Sequence, residues 1–358
     1  MRARYLPVAA FAILIVVLQL ATLATDSGYH LTQLTMTAYY SLLIVGLCML
    51  IGYAGQISLG HAGFFAIGGY LTAFLTTHNL AAHRGKAIVS LLSKSGMLVS
   101  RPDLYGGDLL TVHPWVSCAV AILLAVVIAY LVGGPVLKLK GHYLAMATLG
   151  FGIIIYRIAL GTEFLGAADG ISDVPGFPLA SGIEITGKSS LRVSNYYMAW
   201  GLVILGMVLL LNLIHSRTGR ALASIHGAED AAEAVGIPTA RYKLNVFVLS
   251  AAFASLAGVF LTHYNGGIGP SEASVMKSVR YVAIVAVGGM ANLWGSLSMS
   301  LVLNYLSLRG YFGTFDDAVF GLILIAIMLF VPDGLLRRHL FRDLKRAVSG
   351  SAADEEVP

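Results

Sequence analysis

The chain has 358 residues, of which 57% are hydrophobic and only 11% are charged. Soluble domains are usually about 25% charged, so this composition excludes an ordinary soluble globular protein and predicts an all-α polytopic membrane protein. A net charge of +5 could indicate nucleic-acid binding in a soluble protein. Here the basic residues lie at the edges of apolar segments, where they indicate which loops are cytoplasmic. No nucleic-acid partner is therefore expected.

Nine apolar segments follow one another along the chain. The first has an apolar run that is long for a signal peptide, so we expect an uncleaved span. The segments are at about 5–25, 34–53, 60–78, 115–137, 143–160, 197–214, 244–263, 280–304 and 317–332. The longer gaps at 79–113 and 161–196 are predicted to be extracytoplasmic loops of a single transmembrane domain, 1–336, which is followed by a tail, 337–358.

Lysine and arginine cluster in four places, which predicts that all four are cytoplasmic. They are the N-terminus, the turn at 138–140, the segment 215–243 and the tail. Nine single crossings would leave the tail on the outer side. We therefore expect the region 280–308 to divide at Gly288 and Gly289 into two segments, which gives ten segments with both termini in the cytoplasm.

The second segment runs into the stretch GYAGQISLGHAGFFAIGGYL at 52–71, which is unusually rich in glycine. Glycine weakens a helix by about 1 kcal/mol relative to alanine, but in lipid small residues allow helices to pack closely. One hypothesis is that this stretch and the break near 288 border a translocation pathway. Its candidate residues are Gly52, Gln56, Ser58, His61, Gly288 and Gly289. The alternative is close packing alone, with His61 bonded to a backbone carbonyl.

The hydrophilic segment 216–243 has the pattern of a helix at about 219–235. Thr218 is a candidate N-cap, and Gly236 followed by Pro238 ends the pattern. One face is apolar, with Leu222, Ile225, Ala228, Ala232 and Val235, and the opposite side carries Arg220, Glu229, Asp230 and Glu233. Such a helix is either a solvated connector or a segment that docks into a groove on a cytosolic partner.

Three stretches together resemble one family. They are the glycine-rich stretch, GRALASIHGAEDAAEAVGIPTARYKLNVFVLSAAFASLAGVF in the middle, and YVAIVAVGGMANLWGS. They are similar to permease subunits of branched-chain amino acid ABC importers, of the LivM-like type, over nearly the whole chain. Asp230 stands where the ATPase-gripping motif of such permeases usually has Glu, and the loop 79–113 is longer than the resemblance leads us to expect.

The resemblance implies a type II importer architecture in a bacterial inner (plasma) membrane. It implies a second homologous permease subunit, two cytosolic ATPases that use ATP, and an extracytoplasmic substrate-binding protein. The helix at 219–235 would then be the coupling helix to the ATPases. Its contact residues would be Arg220, Glu229, Asp230, Ala231, Ala232 and Gly236.

No catalytic constellation, metal-ligand spacing or cofactor motif is predicted for this chain, so we expect a non-catalytic subunit that binds no cofactor itself. No Asp or Glu lies in the interior of a predicted span, which disfavours an ion-coupled secondary carrier or channel. A structural or enzymatic membrane subunit is a further alternative class. Branched-chain amino acids, other neutral amino acids, urea and short amides all remain open as substrates.

Overall fold

The computed structural model describes residues 2–25, 27–81, 87–102, 108–139, 141–180 and 182–330. Lys140 and the predicted tail, 337–358, lie outside these ranges. The first half of the described chain contains α1 (Arg2–Ala24), α2 (Tyr29–Cys48), α3 (His61–Thr77), α4 (Ala87–Lys94), α5 (Pro114–Val136) and α6 (His142–Gly161). The second half contains α7 (Arg192–Ile214), α8 (Arg217–Gly227), α9 (Glu229–Ala234), α10 (Thr239–Asn265), α11 (Val275–Gly288), α12 (Leu293–Leu308) and α13 (Asp316–Phe330).

Within the described residues, each predicted apolar segment corresponds to one helix, except that 280–304 corresponds to two. Six helical stretches of the described chain are long and apolar enough to cross a bilayer: Tyr5–Ala24, Tyr29–Tyr53, Pro114–Val136, His142–Gly161, Ser189–Ile214 and Thr239–Asn265. A polytopic helical membrane protein is therefore confirmed. The remaining predicted segments correspond to the shorter helices α3, α11, α12 and α13.

The predicted division of the region 280–308 is also present. Helix α11 ends at Gly288, Gly289 has a φ of +94°, and α12 begins at Leu293. At about 1.5 Å per residue, the 14 residues of α11 extend roughly 21 Å, less than the roughly 30 Å of a hydrocarbon core. Helix α11 is thus too short to cross the bilayer alone.

The centre of the bundle is formed by α2, α3 and α10. In an apolar 18-residue stretch of the α2 span 94% of the residues are buried, against 17% in the corresponding stretch of α1 and 22% in that of α6. The apolar surfaces of α1 and α6 are therefore available to lipid. Helices α3 and α10 approach at Gly68 and Gly258, where an added Cβ would lie 2.2 Å from the Ser255 carbonyl oxygen and 2.0 Å from the Phe65 carbonyl oxygen. Glycine therefore lets the two backbones touch.

The two predicted outer loops are not purely irregular. The first contains the antiparallel pair β1 (Leu98–Pro102) and β2 (Asp108–Val112), and the second contains β3 (Phe177–Ala180) and β4 (Ile183–Ile185). The all-α prediction holds for the bundle, but these hairpins correct it for the loops. Short hairpins satisfy backbone hydrogen bonds that a loop outside the bundle would otherwise leave to water.

Candidate functional site

The glycine-rich stretch forms a bend between α2 and α3. Helix α2 continues into a π-helical turn, Met49–Tyr53, and residues 55–60 are not helical. Gly55 has a φ of +68°, a conformation that glycine adopts without strain. π-Helical turns occur frequently at functional sites, which supports this bend as a candidate site.

The bend contacts the second predicted glycine break directly. A Cβ at Gly52 would lie 1.5 Å from the Met290 carbonyl oxygen, and the Cys48 thiol donates to the same oxygen at 3.5 Å. Gly288 in turn packs against the start of α12, where a Cβ would lie 2.5 Å from the Ser296 Cα. Gly52, Gly288 and Gly289 thus belong to one contact region, although Gly52 is more than 230 positions from the other two in the chain.

His61 is buried and makes two side-chain hydrogen bonds. Its Nδ1 is 3.0 Å from the Ser58 Oγ, and its Nε2 is 2.5 Å from the Ser250 Oγ on α10. The rings of Phe64 and Phe247 lie edge-to-face against it. His61 is therefore buried, as the packed-histidine alternative requires. Its hydrogen-bond partners are hydroxyls, however, and not the predicted backbone carbonyl.

Gln56 differs from Ser58 and His61 in its hydrogen bonding. Its side chain is 2% exposed, and neither its amide nitrogen nor its amide oxygen has a hydrogen-bond partner among the residues that the structure describes. Buried polar atoms are nearly always paired. Of the three predicted polar contacts, Gln56 is the one with uncommitted hydrogen-bonding groups.

The predicted helix at 219–235 is two helices, so the single-helix prediction is wrong. Helix α8 ends at Gly227, Ala228 is extended with φ −158° and ψ 100°, and α9 begins at Glu229. Glycine weakens the helix at this point, and the two carboxylates of Glu229 and Asp230 favour a new helix N-terminus. The N-cap prediction is also wrong, because Ser216 and not Thr218 accepts the first backbone hydrogens.

The break changes which residues of this α8–α9 segment (217–236) are buried. Three residues of the predicted apolar face, Leu222, Ile225 and Ala232, are buried within this chain. The other two are not, since Ala228 is exposed and Val235 is 77% exposed. Of the proposed contact residues, Arg220, Asp230, Ala231 and Gly236 are exposed, Glu229 is half-buried and Ala232 is buried.

The α8–α9 segment contacts the bundle at two places. The His226 ring lies against the glycine bend, since a Cβ at Gly55 would be 2.9 Å from its Nδ1. Glu229 forms an ion pair with Lys243 at the start of α10, where Lys243 is 8% exposed. Movement of the segment would therefore reach both the bend and α10.

An ion pair that the sequence analysis missed lies inside the bundle. Lys277 Nζ is 3.1 Å from Glu272 Oε1 and donates to the Tyr40 hydroxyl at 3.2 Å. Tyr40 also donates to the Glu272 carboxylate at 3.1 Å. Glu272 lies in the short gap between two predicted spans, so the absence of Asp and Glu from the span interiors says nothing about it. The signal was the charge pair in PSEASVMK between two apolar segments.

A second charged group lies one helical turn further along α11. Arg280 pairs with Asp316 and, at 3.2 Å, with Asp317 at the start of α13, and it donates to the Ser307 Oγ at 3.0 Å. These contacts connect α11, α12 and α13. Among the described residues no group of three or more His, Cys, Asp or Glu side chains is arranged to hold a metal ion.

Most of the chain matches one family of known proteins. Residues 29–332 match the family described as branched-chain amino acid transport system, permease component. The chain is 28% identical to the high-affinity branched-chain amino acid transport system permease protein LivM of Escherichia coli, over 90% of this chain and 73% of that protein. It is 25% identical to LivH of Salmonella typhimurium, over 87% of this chain and 96% of the relative.

A more distant likeness covers less of the chain. The fructose import permease protein FruG of Bifidobacterium longum is 31% identical over 40% of this chain and 41% of that protein. Among solved structures none matches the chain significantly.

Proposed function

The chain belongs to the family of branched-chain amino acid transport permease components, and we propose that it forms part of the membrane path for a branched-chain or other neutral amino acid. It is a membrane permease subunit of the ABC importer class. In the proposal it performs no chemical step itself and binds no cofactor. Separate cytosolic ATPases bind and hydrolyse ATP, and the permease converts their closure into alternating access.

The contacts of the α8–α9 segment carry this proposal. Its exposed side presents Arg220, Asp230 and Ala231, and its other side contacts the glycine bend through His226 and α10 through the Glu229–Lys243 pair. A segment held at two points transmits a displacement that a loose loop would absorb. Val235 is a large apolar side chain with 77% exposure, which suits a contact with a partner protein.

The proposed assembly contains a second, homologous permease subunit, two ATPases and an extracytoplasmic binding protein. LivM and LivH are both named as permease proteins of one kind of transport system, and this chain is similar to each of them. We place the assembly in a bacterial inner membrane, with both termini and the α8–α9 segment in the cytoplasm. The clusters of lysine and arginine support that orientation.

Two alternative functions have less support than the proposed one. A urea or short-amide permease would use the same fold, so only substrate chemistry separates it from the proposal. An ion-coupled carrier or channel has no support from the family. The glycine bend and the break at 288–292 are proposed to border the pathway, with Gln56 as the first polar contact to test.

Coupling is tested by adding bulk at Gly236. Gly236 has a φ of +85° and no atom within 4 Å of an added Cβ, and Gly310, with φ +78° and similarly open space, is its matched control. We expect Gly236→Trp to abolish stimulated ATP hydrolysis and uptake by reconstituted complexes, and Gly310→Trp to retain both. Equal activity of the two variants would contradict the coupling role.

Substrate class is tested in liposomes with the complete complex. We expect the leucine-loaded binding protein to stimulate ATP hydrolysis and leucine uptake. Stimulation by urea and not by any neutral amino acid would favour the alternative, and no stimulation by either would overturn the proposed function.

A further inference from the structure

The ion pair between Glu272 and Lys277 lies at an unusual depth. Its hydroxyl partner Tyr40 is near the middle of the helical stretch Tyr29–Tyr53. The Tyr40 ring stacks on Phe65 with a centroid separation of 5.9 Å, and Pro270 and Ala273 beside the pair are buried. Two opposite charges therefore lie within the depth of the helical bundle.

Helix α11 begins at the same place. Ser274 caps it by accepting from the Lys277 backbone N–H at 3.3 Å, and only 14 residues follow before Gly289 ends the helix. The positive end of the α11 dipole is thus inside the bundle. Half-helices that start within a membrane protein commonly direct their N-termini at anionic groups of a substrate.

Both side chains of the pair are partly exposed. The Lys277 side chain is 22% exposed and the Glu272 side chain is 20% exposed. Charged side chains within a bilayer face the bundle interior or a water-filled cavity because exposure to hydrocarbon is costly. The exposed part of this pair therefore faces a polar path or another protein subunit and not lipid.

Two further hydroxyls near the pair have uncommitted hydrogen-bonding capacity. Tyr281 is 1% exposed and Tyr70 is 5% exposed, and neither hydroxyl has a hydrogen-bond partner within the described part of the chain. The Tyr281 ring is 6.2 Å from the Tyr40 ring, and Tyr70 belongs to the same buried cluster as Ala273, the residue after Glu272. The region thus offers a carboxylate, an ammonium group and several hydroxyls in a largely apolar environment.

We propose that Glu272, Lys277 and Tyr40 form a transient binding site for the zwitterionic head of an α-amino acid in the translocation path. The proposal deepens the proposed function and rests on it. The α-ammonium group of the substrate pairs with Glu272, and its α-carboxylate pairs with Lys277 beside the α11 N-terminus. Tyr40 contacts both charged side chains and holds them in register.

This arrangement distinguishes the candidate substrates by charge. An amino acid presents one positive and one negative group, which match the two side chains, whereas urea, amides and sugars present neither. Binding is weak because the substrate must compete with the internal Glu272–Lys277 pair. Weak binding suits a passage site, where a substrate has to leave as well as enter.

The test uses the full complex in proteoliposomes, with leucine-loaded binding protein on the outer side. The measured quantity is leucine taken up per ATP hydrolysed. Glu272→Gln and Lys277→Met should each lower this ratio at least tenfold, and Lys277→Arg should retain more than half of it. The control is Glu184→Gln, which removes an exposed pair with Lys188 at 3.7 Å and should leave the ratio unchanged.

A purely structural role would give a different result. Loss of packing reduces the number of assembled complexes, so uptake and hydrolysis would fall together and the ratio would stay constant, which would overturn the inference. The reversed pair, Glu272→Lys with Lys277→Glu, keeps the two charges together but puts each opposite the wrong group of the substrate. It should assemble without recovering the ratio, and full recovery would assign the pair to structure.

Failure of the proposed function and failure of the binding-site proposal would give different results. A wild-type complex that fails to import any neutral amino acid would refute the proposed function. Normal leucine import by the wild type, together with wild-type ratios in Glu272→Gln and Lys277→Met, would refute only this inference.

Discussion

The contact between the glycine bend and the 288–292 break leads to a quantitative prediction for Gly52→Ala. An added Cβ would lie 1.5 Å from the Met290 carbonyl oxygen and 2.4 Å from its carbon. A carbon and an oxygen normally approach to about 3.3 Å, so the two segments must separate by roughly 1.8 Å. Because the obstacle is backbone, no side-chain rotation relieves it.

The expected cost is at the upper end of that seen for overpacked cores, about 3 kcal/mol. For a chain of this size we expect the thermal midpoint of the purified complex to fall by about 4 °C. The separation also weakens the contact through which the α8–α9 segment reaches the 288–292 break, so uptake should fall more than the amount of assembled complex.

Gly201→Ala is the matched control, since Gly201 lies on α7 with no atom within 4 Å of an added Cβ. Alanine improves helix propensity there by up to about 1 kcal/mol, so its midpoint should be unchanged or slightly raised. If Gly52→Ala matched Gly201→Ala in both midpoint and uptake, the close contact with Met290 would be wrong.

Two further substitutions address the polar groups of the site. Gln56→Leu removes an amide with no partner among the described residues. We expect the free energy of unfolding to stay the same or rise by up to about 1 kcal/mol, seen as an unchanged or higher thermal midpoint, while uptake falls several-fold. Unchanged uptake would exclude Gln56 from the pathway. Lys243→Met leaves Glu229 unpaired and should cost about 1–3 kcal/mol and lower uptake per ATP hydrolysed. Lys188→Met, which breaks an exposed pair, should change neither quantity, and equal behaviour of the two lysine variants would contradict an anchoring role for Lys243.

Several local features could be predicted because they depend on short-range patterns. The division at Gly288 follows from a glycine pair between two apolar runs, and the end of α9 follows from Gly236, which adopts φ +85°. The break at Ala228 was missed because the apolar spacing continues across it. In the structure the break follows Gly227, and the new helix N-terminus at Glu229 is held by the ion pair to Lys243.

The membrane class, the order of the apolar helices and the family resemblance could all be predicted from the amino-acid sequence, because they depend on apolar length, charge placement and local motifs. Which distant residues meet is visible only in the tertiary structure. It brought Gly52 to Met290, His226 to Gly55, and Tyr40 to Glu272 and Lys277. The physical reason is that such contacts depend on how helices pack around small residues, and a linear pattern carries the helical period of each segment but not the orientation of one helix against another.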